Sequence, residues 1–175
     1  MISGLTQNKI VRVTRAFQSL LKLEIISIGT SYPAWIKAAL NEYQKRLDNE
    51  CKLSLKEIPI IKNKKKGNSH EKKIEEGHRI ESFIDRSSYI VAMDQEGLQW
   101  TSESLAEKLI AWSLTKSKFQ FLIGGSEGLS SAVLDRSDTI WSLSKLTLPH
   151  ALARLVLLEQ LYRAFMINNK HPYHR

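Results

Sequence analysis

Five short apolar segments of β character alternate with stretches of helical periodicity, and this alternation constrains the fold more than any other feature of the chain. The segments are Leu23 to Gly29, stopped by its glycine, then Leu53 to Ile58, Tyr89 to Asp94, Phe119 to Ile123 and Thr139 to Ser142. Strand, helix and strand in repeated order give crossovers between parallel neighbours. The expected fold is therefore α/β, a mostly parallel sheet with helices on both faces.

The intervening helices can be placed by their apolar steps. Ser31 and Pro33 offer a start for a helix whose residues Trp35, Ala39, Leu40, Tyr43 and Leu47 make one stripe, expected to face the core. A second helix, about His70 to Asp85, sets Ile74, Gly77, Ile80 and Ile84 on one side. Thr101 or Ser102 before a Glu-rich turn suits a capped third helix, with Leu105, Leu109 and Trp112 turned inward. A short helix around Ser130 to Ser137 precedes the last strand, and a long helix from Ala151 to Met166 follows it. That helix carries Leu152, Leu155, Val156, Leu158, Leu161, Tyr162, Phe165 and Met166 on more than one face. It is expected to be central, or buried against a second subunit.

A length of 175 residues suits a single domain. The formal charge of +8 favours a polyanionic partner, RNA above others. Lone Cys51 offers neither an internal disulfide nor a thiolate metal site, so the chain reads as intracellular and metal-free. The longest apolar run is broken by Arg154, Glu159 and Arg163, leaving no expected membrane span. Residues 1–22 form a basic, acid-free extension outside the expected domain of residues 23–175. A transit peptide, an added strand around Ile10 to Val13, and an upstream start codon are three readings of it, the last preferred. Lys62, Lys64, Lys65, Lys66, Lys72 and Lys73 make the densest positive patch, either a solvated loop or a track for RNA phosphates.

In open α/β sheets, ligands collect beyond the carboxyl ends of the strands. Three loops qualify: those after Asp94, after Ile123 and after Ser142. Gly124-Gly-Ser-Glu-Gly128 satisfies the Gly-x-Ser-x-Gly pattern of a nucleophilic serine. Ser126 with Asp135 or Asp138 and then His150 would follow the order of an α/β-hydrolase, although the chain is short for that fold. The same glycines would equally let a ligand approach the backbone. They follow the fourth strand with the wrong spacing for a Rossmann fingerprint, and no Walker A loop is present. Leu143-Ser-Lys-Leu-Thr-Leu148 offers free amides and carbonyls, with leucines to flank a flat ring. His150 and Arg154, one turn apart, would project together from the start of the last helix towards an anion. His171-Pro-Tyr-His-Arg175 concentrates polar chemistry at a chain end, where zinc binding is disfavoured for want of a third ligand.

Ser27-Ile-Gly-Thr30, Val91-Ala-Met-Asp94, Ile123-Gly-Gly-Ser-Glu-Gly128, Trp141 to His150 and Asn169-Lys-His-Pro-Tyr-His174 together resemble the bacterial large-subunit rRNA methyltransferase H family, over about residues 23–175. That family belongs to the SPOUT superfamily, and the resemblance implies a C-terminal trefoil knot. It also implies a cytoplasmic homodimer that transfers a methyl group from S-adenosyl-L-methionine to N3 of a pseudouridine in helix 69 of 23S rRNA, within the large subunit or the assembled ribosome. The implied cofactor residues are Met93, Gly124, Gly125, Leu143, Ser144, Lys145, Leu146, Thr147 and Leu148. The implied catalytic candidates are His150, Arg154, Tyr173, His174 and Arg175, with Glu127 a further candidate base. Ser126 stands where the family commonly has proline, which argues against a nucleophilic serine. A serine hydrolase and a non-catalytic RNA-binding protein are the alternatives.

Overall fold

A computed structural model describes residues 21–61 and 69–174. The apolar stretch at Ile10, the lysines from Lys62 to Lys66 and the terminal Arg175 lie outside the described residues. Leu21 is already buried, and its carbonyl accepts a hydrogen bond from the Lys52 amide at 2.9 Å, so the packed unit begins slightly before residue 23.

Five parallel strands form one sheet: β1 (Lys22–Ile28), β2 (Lys52–Ile58), β3 (Tyr89–Gln99), β4 (Lys118–Ile123) and β5 (Thr139–Ser142), in the order β2-β1-β4-β3-β5. Three helices cover one face: α1 (Ala34–Asp48), α3 (Ser102–Ser113) and α5 (His150–Asn168). The other face carries α2 (Ser69–Glu81) and α4 (Ser131–Asp135). Strand alternation divides the core between these faces. Leu23, Ile25, Phe119, Phe121 and Val91 point to the three-helix side, while Ile26, Ile28, Leu122, Ile90 and Ala92 point to the other.

The Thr101 side chain accepts a hydrogen bond from the Ser104 amide at 3.1 Å and caps α3, as its position suggested. Four expectations need correction. Trp35 is 62% exposed, because the core stripe of α1 runs through Ile36, Leu40 and Leu47 instead. Ile74 is likewise 39% exposed, and α2 buries Glu76, Gly77 and Ile80. The second helix stops at Glu81 rather than Asp85, where the Gln120 side chain takes the Asp85 amide at 2.8 Å. β3 also runs past Asp94, its pairing with β5 shifting register between Met93 and Leu98.

Gly77 is where α2 and α4 meet. A Cβ there would collide with the hydroxyl of Ser130 and lie 2.8 Å from its Cβ. Gly77→Ala should therefore lower the unfolding free energy by about 1–3 kcal/mol despite alanine's better helix propensity. Urea denaturation would check this, and adding Ser130→Gly should restore most of the loss.

Candidate active site

The carboxyl ends of β3, β4 and β5 open onto a cavity of about 600 Å³, of the size that small-ligand sites have. Its three walls are the loops that the strand-end argument selected. The first is Met93 with the bulge from Asp94 to Glu96, and the second runs from Gly124 to Gly128. The third comprises Ser142, Leu143, Ser144, Leu146, Thr147 and Leu148, with His150 at its end. Lys145 is exposed and does not line the cavity.

Each wall has a local cause. The glycine loop closes tightly: the Gly128 amide donates to the Gly125 carbonyl at 3.0 Å, and Gly128 holds φ +77°, which a side chain would resist. In the third wall, the Ser142 hydroxyl donates to the Ser144 carbonyl at 2.9 Å, and the Ser144 hydroxyl accepts from the Leu146 amide at 2.9 Å. No backbone–backbone hydrogen bond links residues 143–148 to any described residue. Apart from the Ser144 carbonyl and the Leu146 amide, which side chains engage, their amides and carbonyls therefore remain available to the edge of a flat heterocycle, with Leu143, Leu146 and Leu148 beside it. Trp141 supports the floor from behind, stacked on Trp100 at 4.9 Å between centroids.

His150 and Arg154 do not act on one ligand from one direction. His150 lines the cavity, and burial, with Lys72 nearby, lowers its pKa below the usual 6.5. Arg154 is completely buried beyond the cavity, where Nη1 donates to Glu57 Oε1 at 2.8 Å and Nη2 to the Gly29 carbonyl at 3.3 Å. Its guanidinium lies 4.5 Å from the Tyr32 ring centroid, and the Tyr32 hydroxyl donates to the same Glu57 oxygen at 2.8 Å. Burial lowers the Arg154 pKa to about 10, which still leaves it charged at neutral pH. This arginine joins α5 to the ends of β1 and β2.

Tyr173 is placed elsewhere. Tyr173 packs edge-on against Tyr162 at 4.9 Å, and its hydroxyl lies 3.3 Å from that of Tyr43. Arg163 stacks over the Tyr173 ring at 5.0 Å and is paired with Glu159 at 2.7 Å. Burial and Tyr43 raise the Tyr173 pKa to about 12, so the phenol keeps its proton. Tyr173 does not line the cavity, and Glu159 is about 13 Å further along α5 than His150 at 1.5 Å per residue.

Ser126 accepts a hydrogen bond from Lys72 Nζ at 3.0 Å and donates to Glu127 at 3.3 Å. No hydrogen bond joins it to His150, and Asp138 is engaged with the Ile90 amide at 2.7 Å, so the hydrolase triad is not assembled. Sequence reasoning passed over two acidic features of this rim. Asp94 to Glu96 lines the cavity because β3 is interrupted there, a bulge that Gly97 signals. Glu76 is buried directly behind Gly125, one oxygen accepting from the Ile61 amide at 3.4 Å and the other unpartnered, and burial raises its pKa. Only its place opposite a close-packed glycine identifies it. Among the described residues no three potential metal ligands cluster, and no helix is long and apolar enough to cross a membrane.

Residues 21–174 match the family model described as "Predicted SPOUT methyltransferase". The chain belongs to the SPOUT methyltransferase family. A curated protein of Legionella pneumophila named ribosomal RNA large subunit methyltransferase H is 41% identical over 156 residues, spanning 89% of this chain and 100% of its own. One of the same name from Hahella chejuensis is 39% identical over 155 residues, spanning 89% and 99%. The solved structure of a probable methylase family protein from Haemophilus influenzae has the same fold, with TM-score 0.53 and 18% identity over 89% of this chain and 71% of its own. The glycine loop forms a wall of the cavity, and no hydrogen bond to a histidine makes Ser126 a nucleophile elbow.

Glu57→Ala should leave Arg154 buried with only the Gly29 carbonyl as a neutral acceptor. The expected loss is about 2–3 kcal/mol, below that of a fully buried pair because Glu57 retains 35% side-chain exposure. Glu42→Ala, which breaks the exposed pair with Arg46, should cost under about 1 kcal/mol in the same urea denaturation series.

Proposed function

We propose that this chain transfers a methyl group from S-adenosyl-L-methionine to N3 of a pseudouridine in helix 69 of 23S rRNA, acting in the cytoplasm on the assembled ribosome. The observation carrying this reading is the convergence of three strand-end loops on one cavity, with most of the backbone of residues 143–148 left free. The names and near-complete coverage of the relatives support the ribosomal substrate.

Residues Leu143 to Leu148 would hold the adenine by its edge and faces, Gly124 and Gly125 would admit the ribose close to the backbone, and Met93 would complete the wall. When bound, the donor supplies an electrophilic methyl group on its sulfonium. The protein must then orient the base and accept the N3 imide proton. His150 is the proton acceptor on the cavity, since its lowered pKa keeps the imidazole neutral at pH 7. Glu127 lies on the same rim and is exposed. Arg154 would act indirectly, by fixing the helix that presents His150.

The active form is proposed to be a homodimer with the C-terminal segment threaded as a trefoil knot. Leu152 and Val156 of α5 are half-buried yet stand outside both core clusters, which gives the helix an apolar face for a second copy. Tyr173 packs far along α5 from the cavity of its own chain. His174 and Arg175 would therefore reach the cavity of the partner. Lys72 beside the glycine loop, continuing the run from Lys62 to Lys66, would meet RNA phosphates near the mouth.

Ribosomes lacking the modification should accept a labelled methyl group, mass mapping to N3 of the helix-69 pseudouridine. A product at another nucleotide would reject this substrate, and failure of the folded protein to bind S-adenosylmethionine in calorimetry would reject the donor. The rate should fall as pH drops through the lowered His150 pKa, because protonation removes the acceptor. His150→Gln should reduce the rate by about 100-fold or more and abolish that acid limb.

A further inference from the structure

We infer that Lys73 and Asp94 form a clamp for the α-amino-acid end of the methyl donor, Lys73 taking its carboxylate and Asp94 its ammonium. The inference rests on the proposed donor and assigns a part of it that the three loops leave unheld. Both residues line the cavity, one from α2 and the other from the bulge within β3. They face each other across Gly128. A Cβ on Gly128 would lie 3.9 Å from Asp94 Oδ2 and 3.9 Å from Lys73 Nζ. The opposite charges are thus within twice that distance of one another, yet form no direct ion pair.

Three observations favour a ligand in that gap. Asp94 is preset: its Oδ1 accepts the Glu96 amide at 3.0 Å, leaving Oδ2 towards Gly128. Lys73 makes no hydrogen bond or ion pair with a described residue, whereas neighbouring Lys72 is bound to Ser126 and lies 3.9 Å from Glu76. The absent side chain of Gly128 keeps the space between them clear. An ammonium and a carboxylate on one carbon can satisfy both ends at ordinary charge-assisted hydrogen-bond distances. A phosphodiester would satisfy Lys73 but be repelled by Asp94, so the pair favours a zwitterion over RNA. The other acidic lining residues, Glu96 and Glu127, are exposed at the rim.

Two adenosine thioethers separate this clamp from the rest of the site. S-adenosylhomocysteine carries the amino-acid end, and 5′-methylthioadenosine lacks it. Calorimetry on the full-length protein should show the former binding at least about 10-fold more tightly. Lys73→Met and Asp94→Asn should each weaken S-adenosylhomocysteine about 10-fold or more, the scale of one charged hydrogen bond, while methylthioadenosine stays within about twofold. Unchanged methylthioadenosine affinity also shows that the variants are folded. Equal weakening of both ligands, or of neither, would overturn the clamp. Lys73→Met that loses ribosome affinity but keeps S-adenosylhomocysteine affinity would give Lys73 to a phosphate and overturn it too. If the wild-type protein binds neither compound, the donor assignment fails and the clamp falls with it.

Discussion

A fully buried guanidinium holds this fold together at the edge where its ligand site lies. Arg154 reaches from α5 to the Gly29 carbonyl at the end of β1 and to Glu57 near the end of β2. A charge in that position is tolerable only because Glu57, the Gly29 carbonyl and the Tyr32 ring surround it. β5 lies at the opposite edge of the sheet from β2, so the chain must cross the strand ends to make these contacts. The loop of residues 143–149 makes that crossing and becomes a cavity wall on the way. His150, one turn before Arg154, is thereby set at the cavity while its neighbour is set in the core.

The same helix explains why one chain looks incomplete. Leu157, Leu158, Leu161, Ala164 and Phe165 are fully buried among α1, α3 and the sheet, and no residue of α5 is fully exposed. Its apolar breadth thus has two sources: a deep face spent on the core, and a shallower one at Leu152 and Val156 that the chain itself does not cover. At its far end the helix seats the tail through Tyr162, Arg163 and Glu159. The tail's anchoring and the cavity are therefore separated by the length of the helix. On the proposed reading, a second copy would bring the tail to the cavity.

The alternation of strands and helices was legible because burial on both faces forces continuous apolar strands, and β1 and β4 obey that rule. Thr139 to Ser142 was found despite its four residues, since turn chemistry bounds it on both sides. The cavity loops were legible for a topological reason: parallel strands put every carboxyl end at one edge. Helix faces were less so. Trp35 and Ile36 are adjacent, and periodicity alone gave the larger side chain the core position that Ile36 occupies. Arg154 was placed correctly on the helix but not in its environment, because four-residue spacing fixes direction only to within a wide arc, and Glu57, 97 residues earlier, decides where the guanidinium goes. Lys73 was visible only as one charge in a run. Its position opposite Asp94 is a product of the β3 bulge, which no local pattern encodes.

The two edges of the sheet treat polar groups differently. At the amino edge, buried Gln120 donates to Glu24 at 2.7 Å and to the Phe83 carbonyl at 2.8 Å, and accepts the Asp85 amide at 2.8 Å. Lys118 lies between Glu24 at 3.1 Å and Asp85 at 3.3 Å, and Ser87, with Lys118, holds the Asp85 carboxyl down at about 2. Each of these groups has its partner, although Ser88 Oγ, just before β3, is buried with none. At the carboxyl edge, the loop of residues 143–148 lacks backbone partners, an oxygen of Glu76 is orphaned, and Lys73 faces Asp94 without touching it. Unmet hydrogen-bonding capacity is costly in a folded protein and is not normally left in clusters. Single orphan atoms occur elsewhere, at Ser88 Oγ and Asn169 Oδ1, but among the described residues only the cavity gathers several unmet groups, which suits a surface that completes itself on a ligand.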